Sequence, residues 1–95
     1  MRSRCTAKFW SLFATLPPPI QRKARTRYRQ WRLDAAHPSL RFKKVHATQP
    51  IWSLRIDRDY RALGVQDGSA MLWFWIGSHA DYDRMLGSGR AHRES

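Results

Sequence analysis

Seven consecutive apolar residues near the C-terminus, AMLWFWI at positions 70–76, constrain the fold of this 95-residue chain more than any other feature. The run has the length of a strand and falls well short of the roughly 20 residues that a membrane-spanning helix needs. A strand that is apolar on both faces has to be covered on both, which predicts a central place in a sheet. Residues 66–69, QDGS, centre on Asp-Gly and predict a hairpin turn into this strand.

Two further segments have the pattern of strands. Trp52, Leu54 and Ile56 alternate with polar residues, which predicts a strand with one buried face. Residues 60–65 follow as a second strand, and residues 40–45 predict an extended segment before both. Trp73 and Trp75 are two positions apart, so we expect them on one face of the central strand, near Trp52.

The N-terminal third has helical spacing instead. Thr6 is a plausible N-cap for a first helix, and three prolines at 17–19 end that helix and open a second one, which runs to about Leu33. The apolar positions of the two helices recur at intervals of three and four, and they are Phe9, Leu12, Phe13, Leu16, Ile20, Ala24, Tyr28 and Trp31.

These elements predict an α+β fold, in which an N-terminal two-helix hairpin packs on a small three- to four-stranded antiparallel sheet and a short C-terminal helix follows. We expect a single domain over residues 1–86. The tail at 87–95 has no apolar residue beyond Ala91 and should fray.

The charge is high and unevenly distributed. Eighteen basic and seven acidic residues give a net charge of +11, and residues 1–61 alone carry +12. Arginines outnumber lysines fourteen to four, and the planar guanidinium suits phosphate because it donates two hydrogen bonds at once. A GC-rich genome would also favour arginine, but it explains the asymmetry poorly. The charge therefore predicts an anionic partner such as a nucleic acid.

Several classes of function have no support in the sequence. The single cysteine, Cys5, cannot form an internal disulfide, which fits a reducing cytoplasm. Neither the histidines nor this cysteine have metal-ligand spacing, and the chain lacks a glycine-rich phosphate loop and a serine nucleophile elbow. We therefore expect no metal, cofactor, small-molecule ligand or membrane association. An organellar transit peptide is an alternative interpretation of the acid-free N-terminus.

Candidate phosphate-binding cations lie on the second helix and on the segments that follow it. They are Arg22, Arg25, Arg29, Lys43, Lys44, Arg55 and Arg58. The simpler interpretation for the helix is a solvated face. Its like charges at i,i+4 spacing repel one another, however, and this favours an anion as partner.

Three residues are candidates for catalysis of RNA cleavage: Arg61, His79 and Tyr82. Cleavage needs a base for the 2′-hydroxyl, a cation for the phosphate and an acid for the leaving oxygen. Arg61, together with Arg55, can hold phosphate, while His79 and Tyr82 can exchange protons. The alternatives are a structural histidine at the end of a strand and a tyrosine packed in the core.

Four stretches of the chain, LPPPIQRKARTRYRQW, HPSLRFKKV, WSLRIDRDYRALGV and WFWIGSHADYDRML, resemble the RelE/ParE superfamily of bacterial type II toxin–antitoxin toxins. The resemblance spans roughly residues 6–86, and residues 52–64 are its most specific part. It implies a two-helix hairpin on an antiparallel sheet, in agreement with the pattern of the residues.

The resemblance also implies what such a chain does. RelE-like members cut mRNA in the ribosomal A site without a metal, whereas ParE-like members inhibit DNA gyrase. By this resemblance, Arg55 and Arg61 match strand arginines that contact RNA phosphate, and His79 and Tyr82 fall where ribonuclease members place C-terminal catalytic groups. The implied partners are a cognate antitoxin and the ribosome with its mRNA, or gyrase. A basic adaptor that binds nucleic acid without toxicity is a third hypothesis.

Overall fold

The computed structural model describes residues 2–85, which form an α+β fold. Its elements, in chain order, are β1 (Arg2–Cys5), α1 (Ala7–Ala14), α2 (Pro18–Leu33), a 3₁₀ helix (Pro38–Leu40), β2 (Lys43–Lys44), β3 (Ile51–Asp57), β4 (Tyr60–Asp67), β5 (Ala70–Ser78) and α3 (79–85). None of the helices among these residues is both long and apolar enough to cross a membrane. The tail predicted at 87–95 lies outside the described residues.

The sheet has five strands in the order β1-β5-β4-β3-β2, and it is mixed. The prediction of three or four antiparallel strands was therefore wrong in two respects. β1 was not predicted, and it pairs with β5 in parallel, with Arg2 opposite Ala70 and Cys5 opposite Trp73. The sequence RSRC has no apolar alternation, so its strand conformation depends on the edge that β5 offers. With β4 on its other side, β5 is central, as predicted.

The two N-terminal helices cover one face of this sheet. The Thr6 hydroxyl caps α1 by accepting a hydrogen bond from the Phe9 amide at 3.0 Å, as predicted. Leu54, Ile56 and Ala62 mark the helix-covered face of the sheet. The apolar core on this face consists of Phe9, Phe13, Leu16, Ala24, Trp31, Leu40, Leu54, Ile56, Ala62, Met71, Trp73 and Ile76.

A β-bulge in β5 separates the two tryptophans that were expected on one face. Leu63 pairs with Trp75 and the next residue, Gly64, pairs with Trp73, so Phe74 is an extra residue in β5. As a result Trp73 packs in the helix-side core, while Trp75 joins a second cluster with Leu63. The prediction of a shared face was wrong because it assumed unbroken alternation, which a bulge interrupts.

Gly64 is required where β4 passes the largest buried side chains. A Cβ atom at this position would lie 2.8 Å from Met71 Sδ and 2.8 Å from Trp73 Cε3. Gly68 meets a different need, since its φ of 61° places it in the left-handed region within the predicted Asp-Gly turn.

Candidate functional site

Arg55 and Arg61 form a cross-strand pair on the sheet face opposite the one that α1 and α2 cover. They are directly opposite each other in the β3–β4 hairpin. Arg55 lies between Leu54 and Ile56, and Arg61 precedes Ala62, so the alternation of the strands directs both arginines away from the helix-covered face. We call this second face the arginine face.

The Arg61 guanidinium is fixed by the turn between β3 and β4. Its Nη1 donates hydrogen bonds to the carbonyl oxygens of Asp57 at 2.7 Å and Tyr60 at 3.0 Å. Within residues 2–85, no hydrogen bond uses its Nη2 or Nε, so these groups are available to a ligand. Burial, and then the charge of Arg55, lower the pKa of Arg61. The group nevertheless stays cationic at neutral pH, because an arginine titrates only at very high pH.

Two cations directly opposite each other on neighbouring strands repel, and such a pair destabilises a hairpin. The charge of Arg41 adds to this repulsion and also lowers the pKa of Arg61. Arg41 follows the 3₁₀ helix in the left-handed conformation, with a φ of 43°, which is strained for a residue that is not glycine. An anion bound between Arg55 and Arg61 would relieve the repulsion.

His79 begins α3 directly after the central strand. Its amide donates a hydrogen bond to the Asp59 carbonyl at 2.5 Å, which ties it to the turn that also fixes Arg61. Its Nε2 lies 3.1 Å from Asp83 Oδ2, one helical turn further on. Its Nδ1 is buried and has no hydrogen-bond partner among the described residues. Nε2 is therefore the nitrogen that has to exchange a proton if His79 takes part in catalysis.

Tyr82 packs into the second apolar cluster, with Leu63 and Trp75, and only 8% of it is exposed. Its ring stacks on that of His79, with centroids 5.9 Å apart and an interplanar angle of 27°. Arg61 pairs with Gly77 of β5, two residues before His79, so the three candidate catalytic residues lie at the same end of the sheet. Because the ring is buried, packing in the core is an alternative to a catalytic role for Tyr82.

The predicted phosphate-binding cations are divided between two faces. Lys43 pairs with Ser53 and lies on the arginine face, whereas Lys44 pairs with Trp52 and lies on the helix-covered side. Arg58 is in the β3–β4 turn with 85% of its side chain exposed. Three exposed cations lie on α2, which packs against the sheet face opposite the arginine face. They are Arg22, Arg25 and Arg29.

Two residues of this region were not among the predicted site residues. Arg41 had a weak signal in the sequence, as a cation before Lys43, but its left-handed conformation after the 3₁₀ helix could not be read from the sequence. Asp83 had a clearer signal in the sequence, since it lies four residues after His79 on a helix. Within residues 2–85, no three side chains of the metal-binding types come together as a set of ligands.

Comparison with known proteins identifies relatives of this fold. The family model described as ParE-like toxin domain matches residues 18–84. No curated protein has a sequence significantly similar to that of this chain.

Three solved structures are similar to the chain at low sequence identity. The YoeB/ParE toxin from Agrobacterium tumefaciens has a TM-score of 0.66 and 15% identity, covering 83% of this chain and 99% of its own. A chain of the RelB–RelE antitoxin–toxin complex from Methanococcus jannaschii has a TM-score of 0.68 and 13% identity, with coverages of 84% and 95%. YafQ from E. coli has a TM-score of 0.66 and 8% identity, with coverages of 86% and 98%.

Proposed function

Because the chain belongs to the ParE-like toxin family, within the RelE/ParE superfamily of toxin–antitoxin toxins, we propose that it is a ribosome-dependent endonuclease of mRNA. In this proposal it acts in the cytoplasm, needs no metal or other cofactor, and arrests translation. The observation that carries the proposal is the cross-strand pair of Arg55 and Arg61.

This pair has the features of a phosphate site. Arg61 is held by carbonyl oxygens through Nη1, and within residues 2–85 its Nη2 and Nε make no hydrogen bond, so an already positioned group keeps donors for a phosphate. A group fixed in this way loses little entropy when it binds a phosphate. In RNA cleavage the 2′-oxygen attacks the adjacent phosphorus and the bond to the 5′-oxygen breaks. Arg61 and Arg55 stabilise the negative charge that builds up on the non-bridging oxygens.

His79 is our proposed proton-transfer group. Its Nε2 takes the 2′-hydroxyl proton or supplies one to the 5′-oxygen. In the free protein the Asp83 carboxylate contacts that nitrogen and holds the ring in place. RNA has to displace Asp83 from Nε2 before proton transfer, since Nδ1 is buried. Tyr82 supports His79 by stacking, and its hydroxyl is the second proton-transfer candidate.

The alternative is inhibition of DNA gyrase without any chemistry, as in ParE-like toxins. It is favoured by the description of the matching family model and by the burial of Tyr82. The non-toxic adaptor has no separate observation in its favour. Induction of the protein in growing cells separates the two toxin hypotheses, since translation stops first under one and DNA replication under the other. Primer extension on mRNA and a gyrase supercoiling assay identify the target directly.

Binding to RNA or ribosomes should depend strongly on salt. Residues 1–61 carry a net charge of +12, and neutralising five or six phosphates should reduce affinity by about two to three decades between 50 and 200 mM salt. Filter binding or fluorescence anisotropy over that range measures the slope. An affinity that barely changes would contradict phosphate contacts as the source of binding.

The toxin should be neutralised by a cognate antitoxin with an acidic or amphipathic segment. We expect that segment to cover Arg55, Arg58 and Arg61, and the complex should melt at a higher temperature than either partner, since binding to the native state stabilises it. Expression from the native operon followed by affinity purification tests this. Recovery of the chain as a lone, soluble and harmless monomer would contradict it.

A further inference from the structure

A cavity of about 250 Å³ lies between the helices and the sheet, on the side away from the arginine face. We call it the helix-side cavity. Its buried wall comes from both helices and three strands, and consists of Phe9, Phe13, Ala24, Leu54, Ile56, Ala62, Trp73 and Ile76. Protein interiors are normally packed without voids of this size, and apolar cavities readily take up apolar molecules. The wall therefore suits a ligand with an apolar body.

The mouth of the helix-side cavity is cationic. Its exposed side chains are those of Trp10 and Arg25, whereas Arg4 lies on β1 between Ser3 and Cys5, which face the helices, so its side chain points to the other face of the sheet. The Arg25 guanidinium carbon lies 4.9 Å from the centre of the Phe13 ring, so the charge stands directly beside the apolar wall. Residues 2–33 contain no acidic side chain, and hence none of the residues of β1, α1 and α2 can neutralise Arg25.

The other groups at the mouth leave room for an amphipathic ligand. The Ser3 and Tyr28 hydroxyls hydrogen-bond to each other, which occupies the polar groups of this rim. Trp10 is 52% exposed although its ring contacts Phe9 and Phe13 edge-on, so a large apolar surface borders the opening. A pocket with an apolar wall and a few convergent polar groups is the usual form of a small-molecule site.

We propose that the helix-side cavity binds an amphipathic carboxylate, with its apolar body among Phe13, Trp73 and Ile76 and its carboxylate at Arg25. An apolar cavity of about 150 Å³ accommodates benzene, so this one suits a body of about ten carbon atoms. The site is separate from the proposed catalytic residues and does not depend on the proposed function. No small-molecule ligand was predicted from the sequence. The cavity leaves no sequence pattern, because it forms only where β1 and both helices come together in the fold.

Isothermal titration calorimetry of the full chain with decanoate tests the proposal. Decanoate should bind at least tenfold more tightly than hexanoate, which has a shorter body, and than decyltrimethylammonium, which has the opposite charge. Arg25→Gln should weaken decanoate binding by about tenfold. Arg29→Gln, on the same helix but away from the cavity, should leave it unchanged. Equal loss in both variants would show nonspecific attraction to a basic surface and would overturn the proposal.

Ala24→Leu tests whether the ligand enters the cavity. The larger side chain fills the space from α2, so decanoate binding should be lost while the melting temperature stays the same or rises. Binding that survives this substitution overturns the proposal. Cys5, the only cysteine, also lines the cavity, and this gives a test on the unaltered chain if the variant does not fold. Decanoate should slow alkylation of Cys5 at least fivefold. No protection by decanoate, or protection only by a bound antitoxin, overturns the proposal.

Discussion

Replacing Arg61 with alanine should lower RNA cleavage by about 10²-fold or more, with little change in melting temperature. Cleavage falls because the variant loses the fixed cation that stabilises the phosphate charge. Stability changes little because two effects oppose each other: the hydrogen bonds to the Asp57 and Tyr60 carbonyls are lost, and the repulsion from Arg55 is relieved. Primer-extension mapping of mRNA cuts and growth arrest measure activity, and circular dichroism measures folding.

Arg58→Ala is the matched control for this variant. Arg58 lies in the same turn and carries the same charge, but its side chain is 85% exposed and its one ion pair within residues 2–85 is with Asp59, at 3.9 Å. Its loss should weaken binding modestly and leave the rate of cleavage on saturating ribosomes nearly unchanged. Equal losses of cleavage for Arg58→Ala and Arg61→Ala would show that Arg61 contributes only general charge.

His79→Gln and Tyr82→Phe complete the series and separate catalysis from packing. Under the catalytic hypothesis each should reduce cleavage by roughly 10²-fold. If Tyr82 only packs against Leu63 and Trp75, the loss of its hydroxyl should be harmless. Full toxicity of both variants would refute the acid–base assignment. A wild-type chain that blocks gyrase supercoiling and yields no mRNA cuts would establish the gyrase alternative.

The sequence predicts the fold where periodicity is strong. The stripe Ile20, Ala24, Tyr28 and Trp31 fixed the orientation of α2, and the alternation around Leu54 fixed that of β3. Prediction failed where a neighbour decides the structure. β1 is four residues without an apolar pattern and forms because β5 has a free edge, and the bulge at Phe74 leaves no mark in a run where every residue is apolar.

The candidate site could likewise be predicted only in part from the sequence. The pairing of Arg55 with Arg61 could be anticipated, since the two strands are joined by a short turn and residues near a turn face each other. It could not be anticipated that the α2 arginines lie on the other side of the sheet from this pair, because charge along a sequence carries no information about which side of a sheet a helix covers. Asp83 was overlooked although its spacing from His79 is regular, since the extent of α3 was not clear from the sequence.

Trp73→Ala should cost about 3–5 kcal/mol of unfolding free energy, which is most of the stability of a small domain. Trp73 is 2% exposed and lies edge-on to Trp31 at 5.2 Å, so its removal leaves a cavity between α2 and the sheet. The melting temperature should fall by about 4–8 °C for each kcal/mol lost. Phe74→Ala is the control on the neighbouring residue. It should cost less, because Phe74 is only half-buried and packs with the smaller cluster.

Gly64 makes it possible to test whether this cost arises from the packing of the Trp73 ring. In the native chain, Gly64→Ala brings a methyl group to 2.8 Å from Trp73 Cε3, and the rigid ring cannot yield without losing its contact with Trp31. With Trp73→Ala the clash with the ring disappears and only the contact with the flexible Met71 side chain remains, so Gly64→Ala should then destabilise less. Urea unfolding of the two single variants and the double variant should reveal a coupling of about 0.5–3 kcal/mol. Strictly additive effects would mean that the cost of Gly64→Ala arises from its contact with Met71 and not from the Trp73 ring.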